Sequence, residues 1–91
     1  MEFEWDENKR LANLEKHGID FTVALLVFED ANRINYADDR KNYGETRIRT
    51  VGKIKNELIV SVINTDRNNK VRIISARRAN QKEREDYYGN S

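Results

Sequence analysis

Ninety-one residues, 37% of them apolar and 36% charged, are enough for a single domain spanning 1–91 whose core must be small. The absence of cysteine and the single histidine exclude disulfides, thiolate or all-histidine metal sites and a cysteine nucleophile, and with no apolar run near ~18 residues and an acidic start the expected location is the cytoplasm. The formal charge of +1 hides a division: residues 1–45 carry six Lys/Arg against eleven Asp/Glu, and residues 46–91 carry eleven against five.

Phe3-Glu4-Trp5 alternates apolar and polar residues and reads either as a short edge strand or as a staple onto the helix that follows. Asp6 is a suitable N-cap, and Glu7 to His17 is rich in helix formers, with Leu11 and Leu14 on one face. Gly18 stands where a helix C-terminus favours glycine, after the cations Lys16 and His17. Asp20 caps a second predicted helix, on which Phe21, Ala24, Leu25 and Phe28 form an apolar stripe. The period then changes to two. Strands are expected at Arg33–Tyr36, Glu45–Val51, Glu57–Asn64 and Lys70–Ala76, with a polar loop over Asp38–Gly44. The short polar links Gly52–Asn56 and Thr65–Asn69 suit hairpins, so the strands should run antiparallel. Asn80 caps a last helical stretch, Gln81 to Tyr88, which could pack or fray. The expected fold class is α+β: two helices against one face of a four-stranded antiparallel sheet, a short C-terminal helix, and a second sheet face without obvious cover.

Strand alternation puts Glu45, Arg47, Arg49 and Val51 on one face, taken here as the open one. In the last strand Val71, Ile73 and Ser75 point one way and Arg72, Ile74 and Ala76 the other, with Arg77 and Arg78 at its end. Arginines spaced along strands make a fixed cationic surface suited to a polyanion such as a nucleic-acid backbone; the alternative is a solvated face balanced by the acidic half.

Several runs resemble one known family. Phe3-Glu4-Trp5-Asp6, Asn8, Lys9, Asn13-Leu14 and Lys16-His17-Gly18-Ile19 look like the opening of the BrnT family. Phe21, Val27-Phe28, Gly44-Glu45-x-Arg47 and Arg72-Ile73-Ile74-Ser75-Ala76-Arg77-Arg78-Ala79 continue the likeness in order. Arg49, Thr50 and the polar Asn64-Thr65-Asp66 depart from the pattern without touching these motifs. The resemblance implies a RelE-like fold and a type II toxin that acts as a ribonuclease. It further implies neutralisation by a BrnA-like ribbon-helix-helix antitoxin, two toxins per antitoxin dimer, and operator DNA bound only through that antitoxin.

Cleaving RNA without a metal or other cofactor requires a base for the 2′-OH, cations for the phosphorane charge and an acid for the leaving 5′-oxygen. Arg77, then Arg47, are the candidates for the cations, because a guanidinium fork matches phosphate oxygens and stays charged. Glu45 is the candidate base, and His17 could serve as base or acid. Lys9, Arg49, Arg72 and Arg78 are candidates for binding RNA. Each has a purely structural alternative: His17 as a helix-dipole partner, Glu45 with Arg47 as a register-holding ion pair, Arg77 as partner to a helix carboxylate, Lys9 as an exposed helix lysine. Trp5 reads as a core anchor before a stacking platform, and Tyr87 and Tyr88 as packing residues before catalytic ones. Two other functions fit the same features: a non-catalytic RNA- or protein-binding module, and a co-repressor acting only with its antitoxin.

Overall fold

The computed structural model describes residues 1–38 and 44–89, so the predicted loop lies outside the described residues apart from Asp38 and Gly44. In chain order the elements are β1 (Phe3–Glu4), α1 (Glu7–His17), α2 (Phe21–Ala24) continuing into a 3-10 turn (Leu25–Glu29), β2 (Ile34–Ala37), β3 (Ile48–Lys53), a 3-10 turn (Lys55–Glu57), β4 (Ile59–Arg67), β5 (Lys70–Arg78) and α3 (Gln81–Gly89). The strands form one sheet in the order β1-β5-β4-β3-β2. Strands β2 to β5 pair antiparallel, whereas β1 pairs parallel to β5, Phe3 with Val71 and Glu4 with Arg72. The sheet is therefore mixed and five-stranded rather than antiparallel and four-stranded. Phe3–Glu4 is a true strand because the edge of β5 offers it a partner, and the Glu2 carbonyl extends the pairing by accepting from the Val71 N–H at 2.8 Å.

The local signals of α1 work as expected. The Asp6 carboxylate accepts from the backbone N–H of Asn8 and Lys9, and Gly18 takes a left-handed conformation (φ 72°) while donating to the Leu14 carbonyl. The face that α1 buries is not the one its leucines suggest. Leu11 and Leu14 are exposed and the buried residue is Asn13. Its side-chain amide donates to the Ala76 carbonyl (2.8 Å) and accepts from the Ala76 N–H (3.1 Å), acting as one more strand residue on β5 where β1 has ended. It also donates to the Ile19 carbonyl. Replacing Asn13 with leucine leaves these buried backbone groups without partners, and the expected loss is about 2 kcal/mol, read from the urea midpoint.

The second helix is shorter than its apolar stripe suggests, tightening to 3-10 after Ala24 where Val27 meets β3 at Gly52. A Cβ at Gly52 would lie 3.0 Å from Val27 Cγ1 and 3.1 Å from the Val27 carbonyl oxygen. Strand β4 starts two residues later than expected because Asn56 and Glu57 both have positive φ, 59° and 63°. The β4–β5 link narrows to Asn68–Asn69, also left-handed (54° and 65°), as a tight two-residue hairpin requires.

One deviation controls the sheet's faces. Ile63 pairs with Ser75 but Asn64 pairs with Ile73, so Ile74 is an extra residue on β5. The bulge inverts the alternation after it. Val71, Ile73 and Ala76 all face the core beneath α1 and α2, together with Val60, Val62, Phe21 and Val27. Arg72 and Arg77, separated by four intervening residues that include the bulge, consequently share the other face. Trp5 packs edge-on against Phe21 with ring centroids 6.0 Å apart, as a core residue should.

That second face is not uncovered. Helix α3 packs across part of it, and Tyr87 joins Val51, Ile59 and Ala79 in a smaller core. The Tyr87 hydroxyl donates to Asp30 at 2.5 Å and the Tyr36 hydroxyl to Asp86 at 2.6 Å, which anchors the helix rather than letting it fray. Tyr88 remains about half exposed (51%). Among the described residues no helix is long and apolar enough to cross a membrane.

Candidate active site

The sheet face under α3 gathers side chains from four elements. Arg49 on β3, Ser61 on β4 and Arg77 on β5 share it because Val51 pairs with Ser61 and Ser61 with Arg77. All three converge on Glu83 of α3, which is 1% exposed. Arg77 holds it with both terminal nitrogens, at 2.9 and 3.1 Å, while Arg49 Nη1 and the Ser61 hydroxyl donate to Oε2. Glu83 also closes a reciprocal cap at the start of α3. Its Oε1 accepts from the Asn80 N–H, and its own N–H donates to Asn80 Oδ1, each at 2.8 Å. Burial opposes ionisation of Glu83, but the Arg77 hydrogen bonds, the Asn80 N–H and the charges of Arg77 and Arg49 outweigh it and hold the carboxyl below its ordinary range.

Both arginine side chains remain partly exposed. The Arg49 and Arg77 side chains are 25% and 32% exposed. Arg49 is further held over the Tyr36 ring at 4.4 Å. Burial, then the hydrogen bond to Asp86, pushes the Tyr36 phenol up to about 12.

The other predicted residues surround this pair at differing distances. Glu45 accepts from Arg47 Nε at 3.0 Å. They lie just ahead of β3, where the Arg47 carbonyl accepts from the Asp38 N–H and prolongs the β2 ladder. Alternation then sets Arg47 on the same face as Arg49. From the strand register its backbone lies two strands and four residues from Arg77, roughly 16 Å. The carboxylate bonded to Arg77 is accordingly Glu83 and not Glu45. Arg72 lies on this face beyond Thr65 and is paired with Glu4 at 2.5 Å. Arg78 is exposed and, one residue past Arg77, points to the opposite face. Lys9 and His17 stand one turn before and one turn after Asn13 on the same stripe of α1, so both flank the β5 edge that Asn13 occupies. Among the described residues no hydrogen bond or ion pair engages the His17 side chain, and no group of three or more His, Asp or Glu side chains gathers as metal ligands would.

Sequence reasoning offered a helix carboxylate as a structural partner for Arg77, which the Arg77–Glu83 pair realises, but did not name Glu83 and missed Ser61. The Asn80-x-x-Glu83 spacing is a capping-box signature and could have marked Glu83 as structured, but not as the partner of two arginines on separate strands.

Four carboxyls, those of Glu83, Asp20, Asp30 and Asp86, are held below their ordinary values, so they bind protons less readily folded than unfolded. Their stabilisation is complete above the unfolded carboxyl pKa of about 4 and is lost as pH falls through the lower folded values. The raised phenols of Tyr36 and Tyr87, each about 12, act oppositely, lending stability in full below the unfolded value of about 10 and losing it between there and 12. Urea midpoints should therefore be flat near neutrality and fall on both flanks. A midpoint unchanged between pH 7 and pH 3 would contradict the carboxyl assignments.

The family model for the ribonuclease toxin BrnT of type II toxin–antitoxin systems matches residues 5–83. The crystal structure of the ribonuclease toxin BrnT from Brucella abortus superposes with a TM-score of 0.69 at 31% identity, covering 89% of this chain and 99% of that one. A comparison with curated proteins found no match. A family match over most of the chain, together with a solved structure of the same fold above 30% identity, places this chain in the BrnT family of ribonuclease toxins of type II toxin–antitoxin systems.

Proposed function

We propose that the protein is a metal-independent endoribonuclease that cuts mRNA in the cytoplasm and so inhibits translation, with the reacting phosphate on the solvent side of Arg49 and Arg77. The observation that carries this reading is their convergence on one carboxylate. Two guanidinium groups that meet the same buried anion can also meet the same phosphate from the other side. Glu83 here is a positioning residue: its bonds fix both forks before substrate arrives, so charge developing on the phosphorane meets donors already in place.

Glu45, held by Arg47 one pleat beyond Arg49, takes the 2′-OH proton. The 2′-oxygen attacks phosphorus, the bond from phosphorus to the 5′-oxygen breaks, and His17, beside the β5 edge, protonates that oxygen. The products are a 2′,3′-cyclic phosphate and a 5′-OH, with no water consumed. Arg47, Arg72, Lys9 and Arg78 bind flanking phosphates.

A type II toxin implies an antitoxin. In this reading it is a BrnA-like ribbon-helix-helix dimer that carries two toxins and alone contacts operator DNA. The test is cleavage by antitoxin-free protein in EDTA. The expected result is fragments ending in 2′,3′-cyclic phosphate, with no cutting where the 2′-OH is replaced by hydrogen. Cleavage that vanishes with EDTA, or a folded protein that cuts no RNA, overturns it.

A further inference from the structure

Strand β2 closes the sheet on the side away from β1 and, among the described residues, has no partner beyond it. The Asp38 N–H bonds to the Arg47 carbonyl, so the hydrogen-bonded pairs of this ladder are Asp38–Arg47, Tyr36–Arg49 and Ile34–Val51. The N–H and C=O groups of Asn35 and Ala37 therefore point outward, and both residues are exposed. Among the described residues no bulge breaks this ladder and no element pairs with Asn35 or Ala37 from outside, and no proline interrupts the strand.

A groove lies on each side of the same strand. On the α3 face one of about 760 Å³ runs between Arg33, Ile34 and Tyr36 and the helix residues Glu85 and Asp86. On the opposite face one of about 350 Å³ is walled by Phe28, Ile48 and Val71, with Asn64 lining it. Asn64 is 5% exposed. Its amide nitrogen is engaged by the Ile48 and Val62 carbonyls and the Thr50 hydroxyl, while its Oδ1 has no partner among the described residues. Among the described residues no fully buried side-chain polar atom lacks a partner, so that oxygen keeps some access to solvent where Asn64 lines the groove.

An outward backbone ladder flanked by a recess on each face is what an added strand needs. Main-chain bonds hold it, and its side chains enter the two recesses alternately. We infer that β2 is the docking edge for an extended segment of the antitoxin, whose side chains alternate between apolar ones, seated against Phe28, Ile48 and Val71, and basic ones, facing Glu85 and Asp86. The two carboxylates of this groove outnumber its one lining cation, Arg33, which favours a basic peptide side chain there over an RNA phosphate. The inference rests on the antitoxin reading above, but its readout is binding and not cleavage.

The experiment compares backbone hydrogen exchange of the free toxin with that of the complex obtained by co-expressing the toxin with its operon partner. The amides of Asn35 and Ala37 should exchange freely in the free chain and slow by about tenfold or more in the complex. Ala37→Pro removes an N–H that no described residue uses, so cleavage by the free variant should be unchanged while antitoxin binding weakens roughly 10- to 100-fold. Equal exchange at both amides in free and bound toxin overturns the inference, and this is read on the unaltered chain whether or not the variant folds. Protection that grows with concentration of free toxin assigns the edge to a second copy and overturns it too. A toxin that cuts no RNA yet shows the protection would sink the catalytic reading and leave this one standing.

Discussion

Arg77→Ala should reduce the cleavage rate by about 10²- to 10³-fold, the range seen when one preorganised donor to a transition-state anion is removed. The loss should fall on kcat more than on KM, since the flanking cations Arg47 and Arg72 still hold RNA in both ground and transition states. Arg77 is also structural, because it supplies two of the hydrogen bonds to Glu83, so a loss of activity in the alanine variant alone would be ambiguous. Arg77→Lys separates the roles. It keeps the charge beside Glu83, and with it most of the stability, but cannot present a planar fork to phosphate. The expected order is near-normal folding for Arg77→Lys with cleavage still reduced at least about tenfold. Full activity in Arg77→Lys would show that charge near Glu83, and not contact with phosphate, is what Arg77 provides.

The sequence was informative about this arrangement wherever a signal is local. Helix α1 runs from Glu7 to His17 as its caps dictate, because Asp6 and Gly18 act on backbone groups within one turn. The β4–β5 hairpin is equally local. The parallel pairing of β1 was not legible, since it joins Phe3 to Val71 across most of the chain. Nor was the bulge: nothing around Ile74 distinguishes it from a regular strand residue, yet it moves Ala76 into the core and sets Arg72 and Arg77 on one face. Asn13 shows the same limit from the other side. A polar residue between two leucines reads as solvent-facing until the unpaired edge of β5 supplies a use for its amide. The arginines could be named individually, but the carboxylate that organises them is contributed by a helix whose packing depends on the finished sheet.

Glu83→Ala should be the most damaging single substitution for the fold, with an expected cost of roughly 3 kcal/mol in the urea midpoint. Removing one partner of a buried ion pair typically costs about 3–5 kcal/mol, and the lower end applies because Arg49 and Arg77 are a quarter to a third exposed and can turn partly to water. The α3 cap is lost in the same step, leaving the Asn80 N–H without its acceptor. Glu83→Gln keeps the shape and an acceptor oxygen but not the charge, so it should fall between alanine and the native residue. It should also flatten the acid limb of the stability profile, since the carboxyl whose protonation contributes to that limb is gone. Cleavage by Glu83→Gln provides the decisive comparison. If Glu83 only held the helix, activity measured well below the melting temperature would match the native protein. If it aims Arg49 and Arg77, the rate should drop by about tenfold or more while RNA binding stays close to normal.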